Sequence, residues 1–168
     1  MNCAGKAEYL ITIGAPEPED TGNTIEEERV FDVPFELNET QVRFLGDQAV
    51  FVDEEAVREA LAPVAEVILA HPEHPILLAG TTATGGTQEF NIDLSERRAA
   101  AVKEMLVSEF GVPEDQLITV GLGFADDPFV RGQDLDADGN QIETEAAKNR
   151  RVVVLDAESE TARDILGN

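Results

Sequence analysis

The sequence predicts an α+β fold with a βαβαβ-type core and a β extension at the N-terminus. Three observations carry this. An apolar run at residues 76–79, a long helical pattern and a second apolar run at 117–123 follow at the spacing of a βαβ unit. Another helical pattern, between residues 53 and 70, precedes them. The continuous apolar run at 151–156 reads as a strand from the middle of a sheet.

Taken in order, residues 7–14 place Tyr9, Ile11 and Ile13 on one face of a strand. Residues 15–28 are rich in Pro, Glu, Asp, Gly and Thr and read as a solvated acidic loop. Residues 29–37 form a second strand, which Pro34 confines to a sheet edge. The extension therefore covers residues 1–40. The core domain is expected at 41–157, its first strand at 41–45, and a tail with a short helix at 158–168.

Asp53 caps the first helix, with Glu54 and Glu55 in its first turn, where negative charge suits the dipole. Val57, Leu61, Val64 and Ile68 form its buried face. Pro63 lies inside this pattern. It deletes a backbone hydrogen bond at a cost of about 3 kcal/mol, so a kink or break is expected near residues 60–63. The histidines of H-P-E-H-P (71–75) sit in a proline-rich turn with no further ligand in view, which reads as a helix stop rather than a zinc site.

Residues 91–102, N-I-D-L-S-E-R-R-A-A-A-V, are expected to open the second helix with Ser95 as its cap. That puts Arg98 at the third helical position, beside free backbone N–H groups that help hold an anion. Ala99, Val102, Leu106 and Phe110 continue the helix, and Gly111 and Pro113 stop it. The loop before it, G-T-T-A-T-G-G-T (80–87), lacks the Gly-Lys-Ser/Thr of a P-loop.

Composition narrows the function. The 168 residues carry a formal net charge of −23, which argues against nucleic acid and anionic membranes as partners. Of the 12 lysines and arginines, four sit in the dipeptides Arg97-Arg98 and Arg150-Arg151. Their convergence would make a positive spot on an acidic protein. The single cysteine, Cys3, excludes an internal disulfide. No run approaches the ~20 apolar residues of a membrane span, and no secretion leader is present. Any membrane anchor is therefore expected outside these residues. Cys3-Ala4-Gly5 as a lipoprotein start, or as an incidental thiol, both remain open.

The ordered set Asn91, Leu94-Ser95, Arg98-Ala99 and Asn149-Arg150-Arg151 resembles the OmpA-like (OmpA/MotB C-terminal) peptidoglycan-binding domain over residues 41–157. The Gly80-Thr81-Thr82 loop and the Gly121-x-Gly123 strand end belong to the same resemblance. It implies a mixed β-sheet with helices packed on one face. It also implies a non-catalytic role in the cell envelope, outside the cytoplasm, with peptidoglycan as the partner. In such domains a loop aspartate meets the ammonium of diaminopimelate in the stem peptide, and the helix arginine meets its carboxylate. Arg is suited to that task as a bidentate carboxylate binder.

Carried over by position, the ligand-binding residues are Thr82, Ala83, Asn91, Leu94, Arg98, Arg150 and Arg151. Asn91 is expected to order the loop through its amide, and Leu94 to pack beneath the pocket. Ala83 stands where the family has aspartate, and its methyl group accepts no hydrogen bond. Three readings stay open. Asp47 or Asp93 substitutes for the missing acid, the ligand is an amidated or lysine-type stem peptide, or the domain is a structural or protein-interaction module with a degenerate site.

One further motif stands apart. Asp134, Asp136, Asp138, Asn140 and Glu145, with Gly139, match the twelve-residue calcium loop D-x-D-x-D-G-x5-E, so Ca2+ is the candidate ion and no other cofactor is expected. An acidic turn at Asp138-Gly139 explains the same residues. No nucleophile–base pair that would support an enzyme stands out.

Overall fold

The computed structural model describes Phe31 and residues 34–167. The strand expected at 7–14, the acidic loop at 15–28 and Cys3 lie outside the described residues.

Four strands form one mixed sheet: β1 (Phe35–Leu37), β2 (Ile76–Thr81), β3 (Leu117–Gly121) and β4 (Arg151–Asp156), in the order β1-β4-β2-β3. β2 and β3 run parallel with Ile76 opposite Leu117 and Gly80 opposite Gly121. β4 is antiparallel to both of its neighbours, with Thr81 opposite Arg151 and Leu37 opposite Val152. Every residue of β2 and β4 is buried, as the two apolar runs predict. β1 is an edge strand, directly after Pro34. It joins the core sheet itself, and residues 41–45 do not. They form turns and one isolated bridge, Phe44 to Phe51. The reason is that β1 already occupies the free edge of β4.

Helix α1 (Glu54–Ala70) starts where Asp53 accepts from the N–H groups of Glu55 and Ala56. It runs through Pro63 without a break. Pro63 and Glu59, whose carbonyl loses its partner, are both exposed, so solvent replaces the missing bond. Helix α2 (Gln88–Phe110) is capped by Thr87, which accepts from Phe90 N–H, and ends at Gly111 in the left-handed region (φ 76°). Two short helices follow, α3 (Glu143–Asn149) and α4 (Glu160–Leu166).

The core has two sides. Ile76, Leu78, Val152 and Val154 pack against Val57, Leu61, Val64 and Ile68 of α1 and against Ala99, Val102 and Leu106 of α2. Leu77, Val153 and Leu155 point the other way, where Phe129 and Ala162 of α4 cover them. Both long helices thus lie on one face, and the expected tail docks on the opposite one. Glycine sets the seam between α2 and the sheet. A Cβ on Gly80 would collide with the Ser95 carbonyl, and one on Gly121 with the Ile92 carbonyl. This close approach brings the start of α2 over the C-terminal ends of β2 and β3.

Candidate functional site

At that end of the sheet lies a hollow of about 430 Å³, walled by three segments together with Glu39, Gln141, Glu143 and Arg150. The segments are the loop leaving β2, the first three turns of α2, and the turn at residues 43–47. Thr82, Ala83, Asn91, Leu94, Arg98 and Arg150 line it, and so does Asp47. Arg151 and Asp93 do not.

The helix start differs from expectation. Helix α2 begins at Gln88, so Ser95 is not its cap. The Ser95 hydroxyl donates to Ile92 O (3.0 Å) and accepts from Gly123 N (3.0 Å), fully buried. Arg98 therefore lies about three turns into the helix, where backbone N–H groups are already bonded within it. The idea of Arg98 at a helix N-terminus, assisted by free N–H groups, is corrected. What remains is the guanidinium itself.

Arg98 as a whole is only 7% exposed. Nε donates to Gln48 O (2.9 Å) and Nη2 to Leu45 O (3.2 Å). The group lies over the Phe44 ring at 5.0 Å, and Phe44 stacks on Phe51. Among the described residues no carboxylate pairs with Arg98, and Nη1 has no acceptor. Burial lowers its pKa, with the charge of Asp47 acting against that shift. An arginine stays protonated regardless. The result is a desolvated cation, fixed by two carbonyls and turned to a hollow.

The loop opposite is held from both sides. The Asn91 amide donates to Gly85 O (2.5 Å) and Thr87 O (2.7 Å). From the other side, Asp134 accepts from Thr84 N (2.8 Å). Arg131 donates to Thr82 O (2.8 Å) and Thr84 Oγ1 (3.0 Å), and Gln141 to Thr84 O (2.9 Å). Asn149, fully buried, ties Asp134 to Gly132. The hydroxyl of Thr82 is buried and has no partner among the described residues.

Those bonds explain the fate of the calcium motif. Among the described residues no cluster of three or more acidic, histidine or cysteine ligands assembles. Asp134 turns inward to the loop. Asp136 folds back onto the N–H groups of Asp138 and Asn140 and the Asn140 amide. Glu145 pairs with Lys148. Gly139, at φ 88°, serves an acidic turn between Leu135 and Gln141. Burial alone would raise the Asp134 carboxyl, but the Thr84 and Asn149 hydrogen bonds outweigh it and hold the pKa below the usual carboxylate range.

Two other candidates, Arg151 and Asp93, lie away from the hollow. Arg150 and Arg151 stand side by side at the start of a strand, so their side chains leave on opposite faces. Arg150 reaches the hollow, where Glu39 and Glu143 bind it. Arg151 lies near the Phe129 ring, donating to Val130 O (2.8 Å) and Glu36 (3.3 Å). Asp93 sits on the helix face away from Asn91, Leu94 and Arg98, exposed and paired with Arg97 at 2.8 Å. The sequence reading missed Arg131, Gln141, Glu39, Glu143 and Phe44. A scarce cation inside an acidic loop, Arg131, was the one available clue.

The OmpA family model matches residues 43–150. The chain belongs to the OmpA family. Within it, this domain is 32% identical over 84 residues to the peptidoglycan-associated lipoprotein of Brucella melitensis, covering 47% of this chain and 49% of that one. It is 35% identical over 97 residues to the peptidoglycan-binding protein ArfA of Mycobacterium bovis, covering 58% and 27%. These matches span half the length of such relatives or less. Among solved structures, the peptidoglycan-associated lipoprotein from Burkholderia pseudomallei superposes with a TM-score of 0.54 at 31% identity, covering 68% of this chain and 86% of that one. A periplasmic domain of MotB (residues 64–256) shares the fold, with a TM-score of 0.56 at 14% identity over 90% and 92% of the two chains.

Proposed function

We propose that this OmpA-family domain is a non-catalytic module of the cell envelope that binds peptidoglycan, holding a carboxylate of the stem peptide against Arg98. One observation carries the reading. A buried guanidinium with no carboxylate partner among the described residues faces a hollow beside an ordered Gly- and Thr-rich loop. Charge-assisted bidentate bonding to a carboxylate is the interaction such a group makes best. The names of the relatives from Brucella melitensis and Mycobacterium bovis support the same partner. The net charge of −23 disfavours nucleic acid.

The test is retention on purified sacculi. The full chain is expected to sediment with diaminopimelate-type walls, and Arg98→Gln to stay in the supernatant while keeping its circular dichroism spectrum. Equal retention of both proteins would refute the reading. Ala83 favours a second one, a scaffold with no glycopeptide ligand. It predicts no retention on walls of diaminopimelate, amidated or lysine type.

A further inference from the structure

A second hollow, of about 530 Å³, lies between the end of β1, residues 130–132 and helix α3. Among the described residues only Glu39 lines both hollows, and Arg98 and the Gly- and Thr-rich loop take no part in this one. Three cations and three acids line it. Four of these are engaged with one another or outside it. Lys148 pairs with Glu145 at 2.9 Å, and Glu39 with Arg150. Arg131 is turned to Thr82, Thr84 and Asp134. Arg151 and Glu36 are left, at 3.3 Å.

Arg151 is 8% exposed, yet most of its donors are unused. A guanidinium carries five N–H groups. Nη1 donates one to Glu36, and Nη2 donates one to Val130 O at 2.8 Å. Nε is buried with no acceptor among the described residues. A buried charged donor without an acceptor is costly, so this group gains from any acceptor that reaches it. Glu36 is a poor one. Its bond is long for a charge-assisted pair, and its side chain is 46% exposed to competing water.

The surroundings narrow the acceptor. The net charge of −23 repels a polyanion, whereas a single carboxylate matches the planar fork of an arginine. The volume far exceeds one carboxylate and suits a ligand of a few residues. Val130, whose carbonyl Arg151 holds, is 87% exposed beside it, and Ala147 adds apolar surface to the lining. A chain end carries a carboxylate and a side chain on one carbon, which matches this adjacency. An internal aspartate or glutamate has only its own acid to offer there. We infer that this hollow is a second binding site, taking the C-terminal carboxylate of a polypeptide whose last side chain is small and apolar. Arg151 receives the carboxylate and Val130 the side chain.

The experiment is an NMR titration of the full chain, following the Arg151 Nε–H and the backbone amides. The probes are N-acetyl-Gly-Gly-Val as the free acid, its C-terminal amide, and isovalerate. The free acid is expected to shift the Arg151 Nε–H and the amides of residues 130–132, and to bind about ten- to a hundredfold more tightly than the amide. Isovalerate is expected to bind at least about tenfold more weakly than the acid peptide, and equal affinity would overturn the assignment to a chain end. Glu36→Gln removes the competing acid and should tighten the acid peptide by about two- to fivefold, while Arg151→Gln should abolish the preference for acid over amide. Equal affinity for acid and amide, no binding of either, or a Glu36→Gln variant that binds no better overturns the site. So do shifts confined to Arg98 and residues 82–86, which place the peptide in the first hollow.

Discussion

Replacing Asp134 by alanine should unfold this domain more readily than its place in an acidic loop suggests. Asp134 is 3% exposed, and its carboxylate accepts from Thr84 N and the Asn149 amide, both at 2.8 Å, with Arg131 at 3.5 Å. Alanine leaves the Thr84 N–H and one Asn149 hydrogen without acceptors. It also leaves the Arg131 guanidinium without its nearest acid, keeping only Asp126 at 3.8 Å. Hydrogen bonds to charged groups contribute about 1.5–3 kcal/mol each, and removing one member of a buried ion pair costs about 3–5 kcal/mol. These overlap, so the expected loss is about 3–5 kcal/mol, a large part of an ordinary domain's stability. Urea unfolding of wild type, Asp134→Ala, Arg131→Ala and the double variant measures both the loss and the coupling. A loss below about 1 kcal/mol, or additive single effects, would mean that the carboxylate is solvated and the reasoning fails. Retention on sacculi should fall in parallel, because the same bonds hold the 82–84 turn.

Three other outcomes are expected. The lowered pKa of Asp134 means its contribution is complete above the unfolded carboxylate value near ~4 and is lost as pH falls through the folded value. The stability gap between wild type and Asp134→Asn should accordingly narrow below about pH 4 in acid titrations, and a gap that widens there would have the sign wrong. Gly121→Ala should cost at least about 1–3 kcal/mol by forcing α2 off the sheet, while Gly46→Ala, with open space around it, should change stability by less than about 0.5 kcal/mol in thermal melts. Pro63→Ala should stabilise by about 1–3 kcal/mol, since it returns a hydrogen bond to an exposed helix turn, and a lower melting temperature would contradict this.

Much of the architecture was readable because it depends on local periodicity. The buried runs of β2 and β4, the apolar stripe of α2 and the cap at Asp53 all follow from residue order alone. Errors arose where distant partners outvote local preference. Serine ranks above threonine as a cap, which favours Ser95 on local grounds, and Asn91 and Asp93 are poor helix formers. The helix begins at Gln88, capped by Thr87, because the Asn91 amide is occupied by the loop and the Ser95 hydroxyl by Gly123. Likewise Thr84 and Asn149, far away in sequence, decide where Asp134 of the calcium-like pattern points. The hollow was found through Arg98, but its charge pairing depends on Glu39 and Glu143, which no spacing rule singles out.

Arg98 braces the turn at residues 44–51 while facing the cavity, so under the function proposed above one side chain would set both a wall's position and the affinity of what rests against it. Occupancy and wall order would then be thermodynamically linked, each favouring the other to the same degree. Loss of affinity on altering this residue would consequently be a sum of two effects, and slower amide exchange across that turn on saturation is the way to separate them.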